Sequence, residues 1–96
     1  MLKAPRLAKP FNPRKLHRTA SALHQADLRS KIMATDRWIS EGRVRLARQI
    51  RMIERLEAAG TRTDLANSLL REIGRALRTM QASRTILCQQ LETYQG

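Results

Sequence analysis

Apolar residues recur along most of this chain at intervals of three and four. Between residues 26 and 59, Ile32, Ile39, Leu46 and Ile53 return every seven positions. Their companions on the same side are Leu28, Thr35/Asp36, Gly42/Arg43, Gln49/Ile50 and Leu56. This is the stripe that an α-helix presents when it packs against another along its whole length. It thins in the middle, where Thr35, Gly42 and Gln49 replace large apolar side chains. Gly60, directly after Ala58 and Ala59, is a stop signal, because glycine adopts the left-handed conformation that closes a helix. A second stripe follows, formed by Ala66, Ile73, Met80, Leu87 and Tyr94 interleaved with Leu70, Leu77, Arg84 and Leu91. Leu69 and Ala76 widen it on one side. Thr63 is the expected cap of this helix, and Asp64 in its first turn complements the helix dipole.

The pattern therefore predicts a helix over about 26–59, a turn at 60–62 and a helix over about 63–94, together a hairpin spanning 23–96. So short a connection requires the helices to be antiparallel neighbours. A turn centred near residue 61 places Gly42 opposite Met80, Leu46 opposite Ala76 and Leu77, and Ile39 opposite Ser83 and Arg84. Arg84 is polar on an otherwise apolar stripe. It is expected either to pair with Asp36 or to lie over the Trp38 ring, as a polar lock on the register. The fold class is all-α: an antiparallel, coiled-coil-like two-helix hairpin. Such a pair buries little apolar surface on its own. Met33, Trp38, Val44, Met52, Leu65, Leu69 and Ile86 fall outside the main seam, so dimerisation into a four-helix bundle is the expected completion.

Residues 1–22 read differently, as a basic and largely disordered arm. Pro5, Pro10 and Pro13 favour extended backbone, and Lys3, Arg6, Lys9, Arg14, Lys15 and Arg18 carry charge with no acid among them. Leu16, Ala20 and Leu23 would allow a short helix over 16–25. Composition agrees with a helical reading. The chain of 96 residues is 42% hydrophobic, yet its aromatics are only Phe11, Trp38 and Tyr94, so any core is aliphatic. Good helix formers dominate, and β-branched runs that would make strands are missing.

Nineteen Lys and Arg against eight Asp and Glu give a net charge of +11, which points to an anionic partner. Arginine, whose planar fork suits phosphate, far outnumbers lysine. On the first helix Arg37, Arg48, Arg51 and Arg55 fall at compatible spacing. On the second, Arg71, Arg75 and Arg78 do the same. Antiparallel pairing is expected to set Arg71 near Arg51 and Arg75 near Arg48, giving one continuous basic face. Elsewhere acids interleave with arginines, as in Arg37–Glu41, Glu41–Arg45 and Arg51–Glu54, and read as surface ion pairs.

Candidate chemistry is sparse. Cys88 is the single cysteine and has no histidine near it in sequence, which also suits a reducing compartment. His17 and His24 share a helix face but lie about 10 Å apart, too far to hold one metal. The four glycines are isolated and form no phosphate loop. No apolar stretch approaches the roughly 20 residues of a membrane span. The expectation is a cytoplasmic, non-enzymatic protein with no cofactor, metal or small-molecule substrate.

The stretch from Ala26 to Leu91, about two thirds of the chain, resembles small uncharacterised bacterial helical-hairpin proteins. Their first helix follows the form ADRxIAEGxRRIAxQxxxIxxLExxG, matched here by Ala34, Asp36, Arg37, Ile39, Glu41, Gly42, Arg45, Leu46, Ala47, Gln49, Ile53, Leu56, Glu57 and Gly60. The second helix matches at Thr63, Leu69, Leu70, Leu77, Arg84, Ile86, Leu87 and Leu91, and has Gln81 and Thr85 where that pattern has His and Asp. The resemblance implies a fold and no activity. The first expectation for function is a helical interaction or regulatory module that acts through protein–protein contacts, with itself as a homodimer or with another protein. The second is a nucleic-acid-associated protein that grips phosphates through the arm and the arginine face. Peripheral binding to an anionic membrane ranks behind both.

Overall fold

In the computed structural model the described residues are 13–95, with side chains described from 20 to 94. Two helices account for nearly all of them: α1, Pro13–Ala58, and α2, Asp64–Gln95. Both expected helices form, and α2 begins one residue after the expected cap.

The helix α1 starts at Pro13, well ahead of the expected start near residue 26. Residues 13–22, assigned from sequence to the arm, are therefore helical. Proline breaks a helix only from its interior. At the first position its missing N–H has no partner to lose and its fixed φ suits the helix. The segment that follows, with Leu16, Ala20 and Leu23 on a helical spacing, propagates from there. The arm through residue 12, including Lys3, Arg6 and Lys9, lies outside the described residues. Arg14, Lys15 and Arg18 sit on the opening turns of α1.

The end of α1 has a clear physical cause. Gly60 has φ 70°, and its N–H donates to the Glu57 carbonyl at 3.0 Å while the Thr61 N–H donates to the Leu56 carbonyl at 2.9 Å. These two reversed bonds satisfy carbonyls that the helix leaves open, and they require the left-handed residue between them. Nothing lies within 4 Å of a Cβ added at Gly60, so replacement carries a backbone cost alone. Gly60→Ala is expected to lose about 1–2 kcal/mol, measured by denaturant unfolding. A loss near zero would mean that the turn can rearrange freely. At the start of α2, Thr63 supplies the first accepting carbonyl, for Asn67 N–H at 2.8 Å, and its hydroxyl accepts from Asn67 Nδ2 at 3.0 Å. Arg62 pairs with Asp64 at 3.1 Å beside it.

The seam between the helices is thin and regular. Its buried apolar residues among those described are Leu28, Ile39 and Ile53 of α1 and Ile73 and Leu77 of α2. The three positions that look like gaps in the sequence stripe are also buried: Thr35, Gly42 and Gln49. Each has a local reason. The Thr35 hydroxyl donates to the Lys31 carbonyl at 2.8 Å, and Gln49 Nε2 crosses the seam to the Ala66 carbonyl at 2.9 Å, so neither polar group is stranded. Gly42 leaves a hollow that Leu77 fills. A Cβ placed there would come within 2.8 Å of Leu77 Cδ2.

That contact also corrects the register. A turn centred on residue 61 would bring Met80 over Gly42, yet Leu77 sits there and Met80 lies beside it. Close packing sets the offset, because the bare backbone at Gly42 accepts a branched side chain that no neighbouring position could. At the open end of the hairpin, Gln25 Nε2 reaches the Tyr94 carbonyl at 3.2 Å, and the His24 ring meets the Tyr94 ring edge to face at 4.8 Å. Beyond His24, α1 runs on past the end of α2.

Candidate functional site

A two-helix pair has two broad sides, one on each flank of the seam, and here they differ in chemistry. Positions 31, 38, 45 and 52 of α1 share a flank with 69, 76 and 83 of α2. The other flank carries 29, 36, 43 and 50 together with 67, 74, 81 and 88. Both assignments follow from the buried seam positions and the antiparallel direction.

The first flank is apolar. Trp38, Glu41, Gly42, Arg45 and Met80 line one hollow of about 340 Å³. Gly42, Arg45, Leu69, Glu72, Ile73, Ala76 and Met80 line an adjoining one of about 290 Å³. The shared residues make these one shallow groove along the hairpin. Trp38 at its rim is 58% exposed, and Met52 and Leu69 further along are 46% and 44% exposed. All seven apolar residues placed off the seam by sequence are exposed, with Leu65 at 88%. Trp38 belongs to this flank and does not cover Arg84.

The second flank is polar. Arg84 Nε donates to Asp36 Oδ1 across the seam in an ion pair that is about half exposed on both sides. The Asp36 carboxylate raises the Arg84 pKa above its ordinary value, first through this hydrogen bond and then through its charge, with a smaller charge contribution from Cys88. Around the pair is a cleft of about 450 Å³ lined by Asp36, Ile39, Ser40, Arg43, Gln81, Arg84 and Thr85. Arg43 was not among the arginines expected from sequence to meet an anion. The available signal was its place seven residues after Asp36, on the same flank. Cys88 is a free, half-buried thiol on this side.

The expected continuous arginine face divides into two. Arg48, Arg51 and Arg55 are exposed on α1, and Arg71, Arg75 and Arg78 are exposed on α2. In a two-helix pair the sides opposite the seam point away from each other, so these sets lie at opposite edges. The hollow beside Arg51 and Arg55 is lined by α1 residues alone, with Glu54 and Ala58. Arg78 leans inward over the second flank, its Nη1 3.6 Å from where a Gly74 Cβ would stand. Among the described residues the ion pairs are Lys31–Asp27, Arg62–Asp64 and Arg84–Asp36. The Arg37–Glu41, Glu41–Arg45 and Arg51–Glu54 pairs expected from spacing do not close.

Among the described residues there is no group of three or more His, Cys, Asp and Glu that could hold a metal ion. Nor is any described helix long and apolar enough to cross a membrane. Compared with family models, with curated proteins and with solved structures, the chain matches none.

Proposed function

We propose that this protein is a non-enzymatic helical interaction module that works as a homodimer, two hairpins closing their apolar flanks into a four-helix bundle. The observation that carries this reading is the groove at Gly42, Ala76 and Met80 with Trp38 standing exposed at its rim. Among the described residues five apolar side chains reach burial, while ten large ones are exposed, Trp38, Met52 and Leu69 of them on this flank. Burial on that scale leaves a lone hairpin marginal, and burying the flank supplies what is missing.

The mixed signs within the groove suit a second copy as the occupant. At a net charge of +11, two copies repel one another over most of their surface. The apolar flank is different, because Glu41 and Glu72 lie beside Arg45 within the groove itself. A two-fold arrangement lets each sign meet its opposite on the other copy. Trp38 then supplies the large, stiff anchor that such interfaces centre on.

Light scattering on the purified chain is expected to report twice the 11.0 kDa chain mass. Trp38→Gln combined with Leu69→Gln is expected to raise the dimer dissociation constant by at least about 100-fold. A monomer at tens of micromolar with full helicity would refute the dimer and leave the flank to another protein.

A further inference from the structure

The apolar flank accounts for one side of the hairpin, and the other side carries a different kind of surface. We propose that the cleft between Asp36–Arg43 on α1 and Gln81–Arg84 on α2 binds the phosphodiester backbone of a nucleic acid. The geometry supplies three elements. First, Arg84 is aimed. Its Nε is engaged by Asp36, which fixes the plane of the guanidinium and leaves the Nη edge for a ligand. An arginine held in this way offers two parallel donors to a phosphate without first losing side-chain freedom. Second, Arg43 lines the same cleft and has no acidic partner among the described residues. Third, Ser40 and the Gln81 amide add neutral donors on either helix. The Thr85 hydroxyl is already spent on the Gln81 carbonyl at 3.1 Å, so it contributes shape and no donor.

The charge balance selects the kind of phosphate. Two guanidiniums against one carboxylate leave a single positive charge in the cleft, which matches one phosphodiester better than a dianionic monoester. The basic surface also continues along the flank. Arg78 leans over Gly74, two turns nearer the hairpin turn than Gln81, so a polymer lying along the groove meets one cation after another. The cleft is shallow and flanked by no aromatic side chain, which suits backbone contact without base stacking. This flank is opposite the proposed dimer surface and stays open in a four-helix bundle, so the inference does not depend on the dimer.

The test uses the full chain with fluorescein-labelled duplex DNA and duplex RNA, read by anisotropy from low to moderate salt. Arg43→Ala with Arg84→Ala is expected to weaken binding at least about tenfold and to lower the salt slope by one to two. Arg51→Ala with Arg55→Ala removes the same charge from the outer edge of α1, and is expected to stay within about threefold of the unaltered chain. Arg84→Lys keeps the charge and loses the fork, and is expected to weaken binding several-fold. Circular dichroism checks that each variant keeps its helices. An equal loss in the two double variants would overturn the site in favour of diffuse attraction. So would absence of duplex binding at low salt, or binding confined to inorganic phosphate or to anionic phosphatidylserine vesicles.

Discussion

Leu77→Ala is expected to cost about 3 kcal/mol of unfolding free energy, toward the middle of the range for deleting most of a buried leucine. Two features set the size. Leu77 is 5% exposed, and it is one of five apolar side chains buried among the described residues. The surface it covers cannot move in to replace it, because the contact on α1 is the bare backbone of Gly42. A helix backbone does not relax toward a void as a side chain would, so the cavity persists and its cost adds to the lost transfer energy. Against a typical total of 5–15 kcal/mol, and less for so thin a core, the change removes much of the stability. Urea unfolding at fixed chain concentration reads it, the concentration being held because association adds to apparent stability. Ile86→Ala is the control. That residue is 54% exposed, and its loss is expected to stay within about 0.5 kcal/mol. If the two variants unfold at the same urea concentration, Leu77 is not in the seam.

The seam was legible in sequence for a physical reason. Burial in a long helix pair repeats every seven residues, so the periodicity of one chain carries the contact surface of both helices. Ile39, Ile53, Ile73 and Leu77 could be chosen from that repeat alone, and all four are buried. The same repeat holds at Thr35, Gly42 and Gln49, whose residue types made the stripe look interrupted. Type and position disagree there because a close helix approach requires small residues, and because a polar side chain can meet its needs inside the seam.

What sequence did not reveal lies mostly across the pair. The repeat states which positions face the partner, and it does not fix the offset between helices by two or three residues. That offset depends on how Leu77 fits Gly42, a three-dimensional match. Spacing along one helix also leaves open which flank of the pair a residue joins. Trp38 and Asp36 are two residues apart and stand on opposite flanks, so Arg84 meets the carboxylate while the indole borders the apolar groove. The divided arginine set has the same origin. Each helix exposes arginines on its outer side, but two outer sides of a hairpin cannot form one face. Pro13 misled in another way. A proline signals a break without saying on which side of it the helix lies, and here the helix follows.

Gly42 offers the sharpest contrast between local preference and packing. In an isolated helix, replacing glycine by alanine gains about 1 kcal/mol. Here the added Cβ would sit 2.8 Å from Leu77 Cδ2 and 3.1 Å from its Cγ, so the leucine must swing away from a buried position. Overpacking of that kind costs about 1–3 kcal/mol, which cancels or outweighs the gain, so Gly42→Ala is expected to be neutral to slightly destabilising. Gly42→Leu has no such compensation. A full side chain would need the volume that Leu77 holds, and the helices would have to separate along their middle. The expected loss is about 3 kcal/mol or more, with a lower urea midpoint and weaker dimerisation, since Gly42 also floors the apolar groove. Exchanging the two sizes tests the cause directly. Gly42→Leu combined with Leu77→Ala puts the bulk on α1 and the hollow on α2, and is expected to recover at least about 1 kcal/mol over the sum of the single changes. If the two losses simply add, Gly42 and Leu77 do not share one space, and the register deduced from their contact is wrong.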